Sequence, residues 1–420
     1  MTPRPTASPE PPPAPTPTPK PVAIDWWHVD AGEPGNAIWQ QAADEYVKAH
    51  PSATIRITLV ANTPTEIDAV VANLQASEAR GELPDLLPSW GGGPLAAEAR
   101  AGLLRDITAD VSSWKGELNT VALGMHAYQG KQYAIPWDLG FYGFWYNKAL
   151  FSRAGIATPP QTWDQFLADV ARLKAAKIVP YALGEKDGWT GLHLWTYLVL
   201  REGGSEALTA MLRSGNWNME ACVEGGGRVQ ELVALNPFQK GYMAASYAGS
   251  GATEAATMGN GQAAMELMGQ WARSVQEASS DSAGGISQDL GWFPFPVVSG
   301  GKGAATDGLG GSNGIAVGRD APPEAIDFLH FLVSRDMESW IGASGFGLPV
   351  MNGTTSSVTD PLQKKIVAAR DQAGFVQLYL DQADTQEMNE AMVSAVSHLF
   401  DRTWTPEHVC QAITQAAAAR

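Results

Sequence analysis

The sequence predicts an α/β protein of two lobes, each a mixed β-sheet flanked by helices, joined by crossing segments with a cleft between them. Three observations predict it. The chain has 420 residues, more than a single hydrophobic core usually serves. From residue 22 onward, apolar strands alternate with amphipathic helices, beginning with the strand, helix, strand order of a parallel pair with a crossover. A strand over residues 132–136 is then interrupted by Trp137, Asp138, Leu139 and Gly140 before a second strand resumes at Phe141. Such a break fits a chain passing from one body to another, where the backbone bends and side chains face a gap.

Residues 1–21 are almost wholly Pro, Thr, Ala and Ser, a composition that buries no core and predicts an extended tether. Residues 22–27 form an apolar strand running into Trp26-Trp27-His28, with a loop over 29–35. A helix from Asn36 carries Ile38, Trp39, Ala42, Tyr46 and Val47 on one stripe, and Ile55, Ile57 and Leu59 alternate in the next strand. Thr63, Pro64 and Glu66 cap a second helix that turns Ile67, Val70, Val71 and Leu74 inward. Residues 83–87 read as a short buried strand leading to Pro88-Ser89-Trp90 and three glycines. After the second strand of the crossing, Tyr146-Asn147-Lys148 opens a short helix that stops at Gly155, and Pro159-Pro160 holds the chain extended. Thr162 and Gln165 make a capping box for a helix with Trp163, Phe166, Leu167 and Val170 at helical spacing. Gly188-Trp189-Thr190-Gly191 precedes a helix over 192–200, and helices are expected to about residue 235 with a break at 225–227. Residues 290–296 form a strand, 297–314 a glycine-rich return and 314–318 another strand. Pro322-Pro323-Glu324 then starts a helix with Ile326, Leu329 and Leu332 inward, and the remainder is mainly helical.

Several local motifs keep a specific order: Gly130-Lys131, Tyr133 to Pro136, Tyr146-Asn147-Lys148, Ala154-Gly155-Ile156 and Pro160-Gln161-Thr162-Trp163. Others are Pro84-Asp85, Ala101-Gly102-Leu103-Leu104, and Gly261-Gln262-Ala263-Ala264-Met265 followed by Gly269-Gln270-Trp271. Together they resemble the extracellular solute-binding proteins of ABC importers, in the carbohydrate-binding branch related to maltose-binding protein, over about residues 22–349. The resemblance implies a periplasmic-binding-protein-like type II fold with a first lobe of residues 22–137 plus 312–345. The second lobe is then 138–311 plus 346–420, with further crossings in the 297–314 return and around 345–349. It also implies a monomer that closes on a neutral mono- or oligosaccharide and presents it to a membrane permease. The tether then suits a spacer behind a lipid anchor, with a signal segment and a lipid-bearing Cys removed, on an extracellular or periplasmic protein.

A neutral sugar offers hydroxyls that donate and accept, and faces of C–H bonds that are weakly apolar. Its site combines flat rings with carboxylates and amides on rigid strand ends. Of 15 tryptophans, Trp90, Trp189 and Trp271 fall in segments that match ligand segments of the resembled family, with Trp27 and Trp137 behind them. Trp90, in the loop after its strand, is a better candidate than Asp85. His28, Asp30 and Glu33 follow the first strand, at the carboxyl end where open α/β sheets meet ligands. Asp138 lies in the crossing, and Gly311 and Asn313 in the return loop.

Other classes find less support. A net charge of −16 argues against a polyanionic partner such as nucleic acid, and no run of about 18 apolar residues spans a membrane. The histidines are scattered, without metal-ligand spacing, and neither a metal nor a cofactor is expected. Gly310-Gly311-Ser312-Asn313-Gly314 fits the G-x-S-x-G form of a nucleophile elbow, but a strand rather than a helix is expected after it. Two rivals remain: an extracellular glycoside hydrolase, which needs two carboxylates across a sugar, and the same fold binding a non-sugar solute such as a polyamine. Cys222 and Cys410, the only cysteines, either bridge the C-terminal helix to the second lobe or are small buried hydrophobes.

Overall fold

The computed structural model describes residues 20–30, 34–60, 74 and 76–419. The tether over 1–19, the helix start at Thr63 to Val71, and Glu33 lie outside the described residues.

The first body begins with β1 (Val22–His28), α1 (Gly35–Ala49), β2 (Ala53–Leu59), β3 (Leu86–Ser89) and α2 (Gly92–Arg100). It continues through α3 (Thr120–Met125), the β4 (Ala127–Tyr128) and β5 (Lys131–Gln132) hairpin, and β6 (Ala134–Pro136). The chain then crosses to β7 (Gly143–Asn147), α4 (Lys148–Arg153), α5 (Trp163–Ala175), β8 (Val179–Tyr181), α6 (Trp189–Ser214) and α7 (Glu220–Ala234). After these come α8 (Glu254–Gly259), β9 (Ala263–Met268), α9 (Ala272–Ala278), β10 (Leu290–Phe293) and β11 (Gly308–Gly310). It returns as β12 (Gly314–Val317), α10 (Pro323–Leu332) and α11 (Arg335–Ser344), and ends with α12 (Pro361–Gln372), β13 (Val376–Leu378), α13 (Gln386–Phe400) and α14 (Pro406–Ala418).

One sheet runs β2-β1-β3-β12-β6 and the other β10-β7-β9-β8, both mixed. In the first, β1 lies parallel to β2 and β3, while β12 inserts antiparallel between β3 and β6. Because side chains alternate across a pleat, Leu86 and Ile315 face one core with Trp26, Trp39 and Phe328, and Leu87 and Ala316 face a smaller one with Leu95 and Leu104. The second sheet buries Phe144, Trp145 and Met265 against Trp163, Phe166, Trp195, Tyr197 and Phe295. The capping box forms: the Gln165 amide donates to Thr162 Oγ1 at 3.3 Å, and Gln165 Oε1 accepts from the Thr162 amide at 3.4 Å.

Two expectations need correction. Residues 225–227 lie inside α7 and do not break it, because Gly225 and Gly226 give the helix room to press against Val199 and Pro406, where a methyl would collide. The C-terminal segment is mainly helical as expected, and it adds one short strand, β13, which pairs in parallel with β11. Its three residues are too few for any periodicity to register. The helix expected over 192–200 runs from Trp189 to Ser214, with a non-helical turn at Gly204. Cys222 and Cys410 are disulfide-bonded, their Cα atoms 6.1 Å apart, which ties α7 to α14.

The chain passes between the two sheets in three places that lie side by side. The amides of Trp137 and Asp138 donate to Asn313 O, that of Leu139 to Leu348 O, and that of Gly140 to Gly311 O. Arg370 on α12, its side chain 3% exposed, donates to the carbonyls of Leu139, Leu348 and Pro349 and so ties two of these strands together. Val350 and Met351 pack in the first core.

Candidate functional site

The second body carries a continuous basin of rings beside the crossings. Tyr142 at the end of the first crossing touches His193 at 4.9 Å, Tyr379 at 4.9 Å and Trp271 at 5.5 Å between ring centroids. His193 also touches Tyr379 at 4.8 Å and Trp189 at 5.4 Å, and Trp189 touches Tyr247 at 5.2 Å. Three-dimensional neighbours thus come from distant elements: Trp189 and His193 from the first turns of α6, Trp271 from the turn between β9 and α9, and Tyr379 from the end of β13. Trp189 and Trp271 are the half-buried members, and the other four rings are buried beneath or between them. Most of these contacts are tilted or edge-on, the arrangement that ring quadrupoles favour. A polar group beside these rings is Asp381, 20% exposed, which His193 Nε2 meets at 3.0 Å. His193 itself is 1% exposed, and its Nδ1 has no protein partner.

Of the expected site residues, Trp189 and Trp271 are therefore brought together. Trp90 is half-buried in the loop after β3, directly before the glycines that meet the second body. Trp27 is half-buried, on the opposite pleat from the core residue Trp26. His28 is buried, its Nδ1 accepting from the Asp30 amide at 3.2 Å. Asp30 Oδ2 accepts from the Trp39 indole N–H at 2.7 Å. Loss of hydration pushes the Asp30 carboxyl up to about 6, and the indole bond pulls against that rise.

Four residues depart from the expectation of open ligand contacts. Trp137 is 5% exposed, stacked on Phe346 at 4.9 Å and edge-on to Trp39 at 5.1 Å, so its ring fills the crossing. Asp138 is 1% exposed and already satisfied: it accepts from Gln270 Nε2 at 2.6 Å, Asn313 Nδ2 at 3.1 Å and the Leu348 amide at 2.6 Å. Burial pushes this carboxyl up to about 6, against the pull of those bonds and of Arg370. Asn313 spends its amide on Asp138, and the open side of Gly311 is taken by the Tyr379 ring. The crossing is a packed knot in which these polar groups are bonded to one another.

Ser312 lies within hydrogen-bond distance of a histidine, and the directions of the bonds decide what that means. Ser312 Oγ donates to Asp138 O at 2.7 Å, so His126 Nε2, 3.1 Å away, must donate to Ser312. His126 Nδ1 then accepts from Ser89 Oγ at 3.3 Å, and Ser89 Oγ accepts from the Gly91 amide at 3.2 Å. Burial drives the His126 imidazole down to about 3, which keeps it neutral with one donor and one acceptor. A nucleophile needs the reverse polarity, with the serine proton passed to the ring. The strand β11 before Ser312 and the strand β12 after it also lack the helix of an elbow.

Tyr142, His193, Tyr247, Tyr379, Asp381 and Gln270 are not singled out by the sequence. Gln270 had a signal in its place next to Trp271; the others come from a helix interior and short loops whose neighbours are set only by folding. Among the described residues no group of three or more His, Cys, Asp and Glu side chains could hold a metal ion, and no helix is long and apolar enough to cross a membrane.

Residues 30–338 match the family described as bacterial extracellular solute-binding protein. A multiple sugar-binding protein of Streptococcus mutans is 23% identical over 344 residues, covering 78% of this chain and 75% of that one. The matches to two further curated relatives span 54% and 58% of their lengths. A solved structure from work on xylan utilization by Caldanaerobius polysaccharolyticus aligns with a TM-score of 0.82 at 24% identity, covering 94% of this chain and 99% of its own. A chitin oligosaccharide binding protein aligns with a TM-score of 0.80 at 24% identity, covering 95% and 98%. At these identities the structural likeness establishes the fold.

Proposed function

The chain belongs to the bacterial extracellular solute-binding protein family, and from that premise we propose that it is the receptor of an ABC importer for a neutral saccharide. The observation that carries this reading is the ring basin of Trp189, His193, Tyr142, Trp271 and Tyr379 with Asp381 at its surface. Stacked C–H faces gain from the two half-exposed indoles, and a carboxylate held by an imidazole accepts sugar hydroxyls through charge-assisted bonds of about 1.5 to 3 kcal/mol each. In this reading Trp90, Trp27 and Asp30 are the first body's candidates for the facing wall, which their half-burial leaves open to contact. The sugar-binding relatives support the ligand class.

In this reading residues 22–137 with 312–345, and 138–311 with 346–420, are bodies that rotate about the three crossings, and the packing of Val350 and Met351 supports moving the last boundary past them. Closure is a population shift, so the sugar stabilises the shut form by binding it better than the open one. The protein acts as a monomer outside the cytoplasm, and the Pro-, Thr- and Ala-rich composition of residues 1–21 supports a spacer to a lipid anchor.

A thermal-shift screen over mono- and oligosaccharides tests the reading. A ligand at roughly 100 times its Kd adds about 2.7 kcal/mol of stability. A screen without any shift, or turnover of a chromogenic glycoside, would refute it.

A further inference from the structure

The two bodies meet directly through backbone. The amide of Gly93 at the start of α2 donates to Gln382 O at 2.8 Å. A methyl at Gly93 would run into the Asp384 carbonyl, and one at Gly92 into the Gln382 carbonyl and the Leu378 side chain. Gly91 and Gly92 also have φ of +73° and +57°, a region that side-chain-bearing residues avoid. The loop they meet is held firmly. Asn389 accepts from the Asp384 amide at 3.1 Å and donates to its carbonyl at 3.0 Å, and Asp381 is fixed by His193.

This contact lies between the ring basin, whose Asp381 precedes Gln382 in the chain, and a gap of about 350 Å³ between the bodies, lined by Gly92 and Met125 of the first and Leu212, Phe375 and Leu378 of the second. Leu378 lines the gap while its neighbour Tyr379 belongs to the basin, so a chain of sugars lying in the basin would have to pass the glycines to reach the gap. A backbone hydrogen bond of ordinary length leaves no space for a pyranose ring. The glycines are also joined to the hinge by the bonds running from Gly91 through Ser89, His126 and Ser312 to Asp138.

We propose that Gly91, Gly92 and Gly93 with the 382–384 loop form a closure latch, which holds the bodies shut and seals one end of the cleft, so that the site takes a short saccharide or the end of a chain. The ligand half of this inference rests on the carbohydrate reading; the latch does not.

The test has a ligand-free arm and a ligand arm. Small-angle scattering compares the ligand-free wild type with Gly93→Ala, whose methyl cannot coexist with the shut contact, and with Asn389→Ala, which frees the loop without touching the glycines. Both variants are expected to show a larger radius of gyration. If Gly93→Ala does not fold, Asn389→Ala decides. Folded variants with unchanged scattering overturn the latch. Calorimetric titration of the wild type then compares xylose to xylotetraose and the matching chito-oligosaccharides. Affinity is expected to stop improving after the first units, and a steady gain through the tetrasaccharide overturns the sealed end. A wild type that binds none of these sugars counts against the carbohydrate reading, and the scattering comparison still decides the latch.

Discussion

Trp271 and Asp138, both expected from the sequence to contact ligand, sit in different surroundings, one half-exposed and the other buried among three donors, and their variants separate the two cases. Trp271 is half-exposed on the basin, so Trp271→Ala should weaken sugar binding by about 0.5 to 1.5 kcal/mol for the stacked ring, roughly 2- to 13-fold in Kd by titration. Asp138 satisfies three donors in the crossing, and Asp138→Asn turns an N–H₂ against donors that need an acceptor. It should cost about 1 to 3 kcal/mol of ligand-free stability, read by denaturant unfolding. Glu338, buried under the third crossing and accepting from the amides of Val350 and Met351, has its carboxyl pushed by burial from 4.5 to about 8. A folded value above the unfolded one means that its contribution is complete below about pH 4.5 and is lost as pH rises through 8. Between pH 7 and 9 that loss is about 1.4 kcal/mol, and Glu338→Gln should flatten this part of the stability profile.

At the level of elements, the second body is closed by a covalent tie and by well-made helix ends. The Cys222–Cys410 bond joins residues 188 apart in sequence, so reducing it or replacing both cysteines with Ala should lower stability by about 2 to 5 kcal/mol, seen as earlier unfolding. The effect should fall on α7, α13 and α14, which pack together, and hydrogen exchange would locate it. The capping box at Thr162 fixes the start of α5 and hence the seat of Trp163 and Phe166 in the core. Thr162→Ala should cost about 1 kcal/mol in thermal unfolding, without effect on binding.

For the whole molecule, the crossings matter because they make one body's position depend on the other's. Asp138 takes bonds from the Gln270 side chain beside Trp271, from the second crossing at Asn313 and from the third at Leu348. One carboxylate therefore joins the segment that carries Trp271 to all three crossings. The bonds from Ser312 to Gly91 carry the same constraint to the far wall.

What the sequence determined by itself was whatever neighbouring residues decide: the strand and helix periods of the first body, the capping box at Thr162, the break at Trp137 to Gly140, and the ordered motifs that carry the family resemblance. Trp189 and Trp271, singled out in the sequence by the segments in which they fall, are joined in the structure through His193 and Tyr142. Only the tertiary structure decided that His193, Tyr379 and Asp381 join them, that the glycines of α7 pack instead of breaking it, and that Asp138 is spent on three donors in the crossing. The physical reason is that burial and hydrogen-bond partnership depend on distant segments: a carboxylate in a loop reads the same in sequence whether it faces water or three buried donors.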